Sequence, residues 1–94
     1  MIIVAGHLTI APDRRDAFLT EALTVITAAR NAPGCVDFHL SADPIDAARI
    51  NIFEHWDSTD AVEVFRGSGP SSDHQAAILS ANVHQHTIAA SVRL

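Results

Sequence analysis

Apolar side chains recur along this chain in two different rhythms. Residues 2–10 (IIVAGHLTI) are β-branched and apolar and stop at Ala11-Pro12, as a strand should. Asp13 and Asp16 follow where a helix start favours negative charge. From Ala17 onward Phe18, Ala22, Val25 and Ala29 return at helical spacing, with Leu19, Leu23 and Ile26 beside them. Arg30 falls in the last turn, and Asn31-Ala32-Pro33-Gly34 ends that helix. The rhythm then shortens to two. Val36, Phe38 and Leu40 alternate with Asp37, His39 and Ser41, which predicts a strand over 35–41 with one apolar face. After a turn at 42–46, Arg49 to Trp56 reads as a third strand. Ile50, Ile52, Glu54 and Trp56 share one face of it, and Asn51, Phe53 and His55 the other. Asp57-Ser58 opens a short helix through about Phe65, and Arg66-Gly67-Ser68-Gly69-Pro70 interrupts it. Ser72 and Gln75 have capping-box spacing, so a second helical piece is expected to about Ser80. Residues 83–93, rich in Val, Thr, Ile and Ala, are expected to form a last strand.

The order strand, helix, strand, strand, broken helix, strand is the split βαβ arrangement: an α+β, ferredoxin-like βαββαβ fold with a four-stranded antiparallel sheet and both helices on one face. Residues 1–94 read as a single domain. The other face of the sheet is left open. At this length a chain buries only roughly 60–65% of its unfolded surface. Yet 48% of the residues are hydrophobic, and both faces of the first and third strands carry apolar side chains. A homodimer joined through the sheet faces would resolve the mismatch.

Charge removes two classes of partner. The net charge is −5, and all six basic residues are arginines scattered along the chain. A nucleic-acid ligand needs a basic stripe, so neither nucleic acid nor an anionic membrane surface is an expected partner. Cys35 is the only cysteine, which suits a reducing compartment. The opening residues lack the basic start of a signal peptide, and no apolar run approaches the roughly 18–20 residues of a membrane span. A cytoplasmic location is expected.

Three stretches carry a resemblance. The opening strand ends in Ala11-Pro12-Asp13 before a helix bearing Phe18. Next comes Ala32-Pro33-Gly34-Cys35-Val36-Asp37-Phe38, and then Phe53-Glu54-His55-Trp56-Asp57-Ser58. In that order they resemble the antibiotic-biosynthesis-monooxygenase family, whose fold is a dimeric α+β barrel made of two sheets packed face to face. Its better-known members oxygenate phenolic or quinol-type polyketide rings without metal or flavin. Relatives on the same fold degrade haem, isomerise a small signal molecule or have no assigned reaction. The resemblance therefore implies a cofactor-independent monooxygenase acting with O₂ on a small aromatic substrate. The alternative is a non-redox dimeric domain that binds or isomerises a small molecule. In the polyketide oxygenases an asparagine four residues before the tryptophan and a tyrosine six after accompany it. Those positions here are Ile52 and Val62, and a position where many members carry histidine is Phe65.

Candidate chemistry follows from these positions. The resemblance makes Trp56 a pocket wall whose indole N–H donates to a substrate oxygen. A strand-end aromatic packed under a helix, with its N–H on a backbone carbonyl, explains it equally. Glu54, on the same face, is a general base with a raised pKa or the partner of Arg49 or Arg66. His74, after the Gly-Ser-Gly-Pro segment, has a side-chain type suited to a base, or is a plain first-turn residue. Arg66 with its neighbouring glycines suits an anionic or phenolate group, as does an ordinary helix-breaking turn. Phe18, Ala22, Val25, Ile52, Val62, Phe65, Ile78 and Leu79 are the expected apolar lining. The strand histidines His7, His39, His55, His84 and His86 fall by parity toward the partner face, where polar contacts are expected. No HxxxH or HExxH pattern is present, and no metal site is expected. No GxGxxG, P-loop or CxxC signature appears, so no cofactor is expected.

Overall fold

Two strands of this protein are paired on both sides, and they set the rest. The computed structural model describes residues 1–67 and 75–94. It runs β1 (Ile2–Ile10), a 3₁₀ turn (Pro12–Arg14), α1 (Arg15–Arg30), β2 (Cys35–Ala42), β3 (Arg49–Trp56), α2 (Thr59–Arg66) and β4 (Ile78–Thr87). The strands form one antiparallel sheet in the order β2-β3-β1-β4. The expected α+β, ferredoxin-like architecture is therefore present.

Strand parity decides what each residue meets. Ile2, Val4, Leu8 and Ile10 of β1 are all buried under the helices. Opposite them in register stand Trp56, Glu54 and Ile50 of β3. Helix α1 lays Phe18, Ala22 and Ala29 on this face, and α2 adds Val62. The buried side chains form two clusters. One holds Ile2, Val4, Ala29, Phe38, Trp56 and Val62, and the other Leu8, Ile10, Phe18 and Ile50. The break between them falls at Gly6, where β1 contributes no side chain. Gly6 has φ +148°, and a Cβ there would lie 2.0 Å from the Asn82 carbonyl oxygen of β4. Only glycine lets the two strands approach so closely.

Side chains tie the turns to this layer. Arg15 at the start of α1 donates to the carbonyl oxygens of Asp43, Asp46 and Arg49, fastening the β2–β3 turn. Asp43 closes the turn itself, accepting from the backbone N–H of Ile45 and Asp46 and from Asn51 Nδ2 at 2.8–3.0 Å. Those donors, with Arg49 beyond them, hold its carboxyl at about 2. At the other end of α1, Arg30 Nε donates to the Phe38 carbonyl oxygen at 2.9 Å. Ser58 caps α2, accepting from the Ala61 N–H, as expected of that residue type.

Two expectations are corrected. Val36 does not join Phe38 and Leu40 on the apolar face. The register shifts between Cys35 and Asp37, so Cys35 pairs with Trp56 while Val36 is 55% exposed. A β-bulge absorbs one residue and turns it outward. The last strand covers 78–87, not 83–93, so no helix reaches Ser80. Pairing with β1 outweighs the weak strand propensity of Ser80, Ala81 and Asn82. Just past the strand's end, the Ile88 N–H donates to the Met1 carbonyl oxygen at 3.0 Å. The residues from Ser68 to His74, including the Ser72 capping box, lie outside the described residues.

Two outcomes test this account. Gly34 sits at φ +83°, and a Cβ there would lie 2.6 Å from both Asp57 Oδ1 and the Ala61 Cβ. Gly34→Ala should cost roughly 1–3 kcal/mol in denaturant unfolding; a change within 0.5 kcal/mol would show that the turn relaxes freely. The depressed Asp43 carboxyl should support the fold fully above its ordinary value of 3.8 and lose that support as pH falls through about 2. Asp43→Ala should lower the melting temperature at neutral pH and flatten its fall in acid.

Candidate functional site

An apolar cavity of about 630 Å³ opens between the helices and the sheet. Leu8, Phe38, Leu40 and Ile52 rise from the sheet, Phe18 and Val25 come from α1, and Phe65 and Arg66 from α2. Gln75 and Ile78 also line it, and Glu54 is the one acid among its described residues. Leu8 and Phe18 belong to one core cluster and Phe38 to the other, so the space lies where the core is divided.

Glu54 points into this space because β3 alternates. Ile50, Ile52, Glu54 and Trp56 share the helix-covered face, with a carboxylate in a row of hydrocarbons. Trp56 holds it in place, its indole N–H donating to Glu54 Oε1 at 3.0 Å. Burial pushes the Glu54 carboxyl above its usual 4.5. The Trp56 N–H and the Arg66 guanidinium act against that rise without reversing it. Arg66 itself donates from Nη1 to Gln85 Oε1 at 2.9 Å.

Trp56 is wholly buried at the centre of an aromatic group. Phe38 meets it edge-on at 6.4 Å between centroids, and Phe65 lies tilted at 5.3 Å. Its single donor is spent on Glu54, so it reaches the cavity through that carboxylate. Phe18, Ile52, Phe65 and Arg66 line the cavity. Ala22 and Val62 are buried beside it without lining it. Leu79 is 69% exposed and borders a separate shallow depression with Ala11, Asp13 and Arg14. His74 lies outside the described residues. Leu8, Phe38, Leu40, Gln75 and Gln85 were not anticipated as site residues. Phe38 and Leu40 shared the face of Glu54 by alternation, which was signal enough; Gln85 fell in the expected last strand, opposite in parity to His84 and His86, and only the pairing of β4 with β1 brings it to Arg66.

A second depression of about 490 Å³ lies by the Pro33–Gly34 turn and shares Phe65. Its acids, Asp57 and Asp60, are exposed, so it offers water-screened charge where the first cavity offers a desolvated base.

The open face of the sheet gathers five histidines in three adjacent rows. Asp37, His55, Ile3 and His86 form one, His39, Phe53, Ala5 and His84 the next, and Ser41, Asn51, His7 and Asn82 the third. His39 Nε2 bonds Asp37 Oδ2 at 2.7 Å and accepts from Arg30 at Nδ1. His84 and His86 stand 6.4 Å apart. Among the described residues no three such side chains converge as metal ligands would, and no helix is long and apolar enough to cross a membrane.

The family model described as antibiotic biosynthesis monooxygenase matches residues 1–78. The chain belongs to that family. A candidate antibiotic biosynthesis monooxygenase from Deinococcus radiodurans has the same fold, with a TM-score of 0.86 at 17% identity over 100% of this chain and 98% of that one. The protein Rv0793 of Mycobacterium tuberculosis superposes with a TM-score of 0.80 at 22% identity, covering 98% of each chain. At such identities these likenesses concern the fold alone. An uncharacterized protein of Synechocystis sp. is 29% identical over 62 residues, 66% of this chain and 42% of that protein. This chain thus spans under half the length of that relative.

The raised Glu54 carboxyl has a thermodynamic signature in this family member. Because its folded value lies above the unfolded one, its contribution is fully present below about 4.5 and is lost as pH rises through the raised value. Glu54→Gln should remove that loss and flatten stability between weak acid and neutrality. Trp56→Phe takes away the one N–H that favours the anion. It should shift the loss to higher pH and cost about 1–3 kcal/mol, read from denaturant melts across pH. An unchanged pH profile in Trp56→Phe would show that the indole does not hold the acid.

Proposed function

We propose that this protein is a cofactor-independent monooxygenase that oxidises a small quinol or phenolic ring with O₂. It would act in the cytoplasm as a homodimer joined through the open sheet faces, with residues 1–94 as one working domain. The observation that carries the reading is a partly desolvated carboxylate, Glu54, the one acid among the described residues of a mostly apolar cavity. Such chemistry needs an electron-rich substrate, a base to ionise it and a dry space that admits O₂.

Glu54 would take the hydroxyl proton: the substrate O–H bond breaks and an O–H bond forms on the carboxyl. The ring anion gives an electron to O₂, and the resulting radical pair closes a ring C–O bond to a peroxide. Glu54 returns its proton to the peroxide; the C–H bond at the oxygenated ring carbon then breaks as the O–O bond does, one oxygen staying as the quinone carbonyl and the other leaving as water with both protons. The substrate is the only reductant. Trp56 would position the base, and Arg66 faces the same space. The volume, about 630 Å³, lies in the usual range for small-molecule sites.

A non-redox isomerase or binding domain is the second reading. Ile52 and Val62, apolar where the polyketide oxygenases carry asparagine and tyrosine, favour it, since a lone base can move a proton without oxygen. A quinol panel under an oxygen electrode separates the two. The oxygenase consumes one O₂ per quinone formed, whereas bound ligand without oxygen uptake selects the second reading.

The rate should rise with pH through the raised carboxyl and then flatten, and Glu54→Gln should lower it roughly 10²–10⁴-fold. If His74→Ala produces that loss and Glu54→Gln does not, the base is His74. Sedimentation at micromolar concentration should show a dimer, with an interface on the order of 2,000 Å² or more; a stable monomer would exclude the paired-sheet assembly.

A further inference from the structure

We infer that Gln85 is a positioning residue that holds Arg66 at the cavity with its positive charge uncancelled, so that the site takes an aromatic ring carrying an ionised hydroxyl. This rests on the cavity being the substrate site, as proposed above.

Arg66 is the last residue of α2 and the only basic side chain among the described residues lining the cavity. Gln85 lies on β4 opposite Val4, and Val4 lies opposite Glu54. Glutamine and acid therefore occupy one row across the helix-covered face, two strand spacings of about 4.8 Å each apart. Gln85 does not line the cavity; its Oε1 accepts from Arg66 Nη1 at 2.9 Å, both side chains being exposed at the cavity's edge.

The chemistry of the tether matters. A glutamine amide accepts a hydrogen bond and carries no charge, so it fixes the guanidinium without neutralising it. Arg49, by contrast, lies 3.7 Å from the Asp43 carboxylate. Among the described residues no carboxylate is within ion-pair distance of Arg66. A guanidinium has five N–H donors, and one is spent on Gln85.

The same arginine then serves both sides of the proton transfer. Before it, the positive charge favours the Glu54 carboxylate. When a phenolic hydroxyl gives its proton to Glu54, the negative charge passes to the ring oxygen, and Arg66 favours it there. In an apolar cavity an ionised oxygen without that charge would be strongly disfavoured. Neutral ligands gain nothing from the arrangement, so the preference is for phenols acidic enough to surrender the proton.

The probe is 4-nitrophenol, whose ionised form absorbs visible light and whose nitro group makes it a poor electron donor to O₂. Dye bound to excess wild-type protein should be about tenfold more ionised at a fixed pH below its solution pKa than free dye, as expected for an opposite charge nearby. Arg66→Met and Gln85→Leu should abolish the excess while leaving the circular dichroism spectrum unchanged. Gln85→Glu is the decisive variant. It keeps the hydrogen bond and cancels the charge, so the excess should vanish although the arginine stays tethered. Wild-type ionisation in Gln85→Glu or Gln85→Leu would overturn the role of Gln85. Dye that fails to bind, or binds without extra ionisation, would overturn the inference altogether. Dye ionisation needs no turnover, so a protein that ionises the dye yet consumes no oxygen keeps this inference and loses the oxygenase reading.

Discussion

The indole of Trp56 has one polar atom and no exposure to water, and that atom must find a partner inside the protein. It finds Glu54, two residues earlier on the same strand face. Much of the molecule is arranged around this pair. Phe38 and Phe65 enclose the ring, fixing β2 and α2 against β3. A buried carboxylate alone would be costly, and a buried indole N–H alone would be unsatisfied. Together they place an acid beside hydrocarbon with its orientation set and its proton affinity raised.

The cavity is compatible with so small a core because the core is already divided. Side chains of β1 fill the space on either side of Gly6, and at Gly6 itself the strand supplies none. The cavity draws its walls from both clusters, so neither has to be thinned to make room. Phe18 shows the economy: the same ring packs a cluster and faces the cavity.

Much of this was legible in the residues. Alternation in β3 put Glu54 and Trp56 on one face, and the helical spacing of Phe18, Ala22 and Ala29 named the buried side of α1. Where reading failed, long-range pairing had decided. Val36 is apolar and falls on the apolar beat, but the bulge after Cys35 turns it out. β4 begins at Ile78 because β1 offers hydrogen bonds there, although Ser80, Ala81 and Asn82 favour no strand by themselves. Gln85 lay within the expected strand, but no local pattern shows that β4 pairs with β1 in the register that puts it in one row with Glu54. Trp56 was read as a donor either to substrate or to a backbone carbonyl, and its N–H goes instead to the Glu54 side chain, a partner that no local pattern reports.

Strand β3 is also a partition one backbone thick. Its even positions, Ile50 to Trp56, meet the cavity and core, while Arg49, Asn51, Phe53 and His55 look out from the histidine-bearing side. Point changes can alter either surface with little effect on the other, which gives evolution two nearly independent sets of letters in a single word. An insertion or deletion inside the strand has no such freedom. Slipping the frame by one position would carry the acid to the outside and an aromatic or imidazole ring into its place. Length variation in relatives of this chain should therefore accumulate in the turns that flank β3 and be purged from the strand itself.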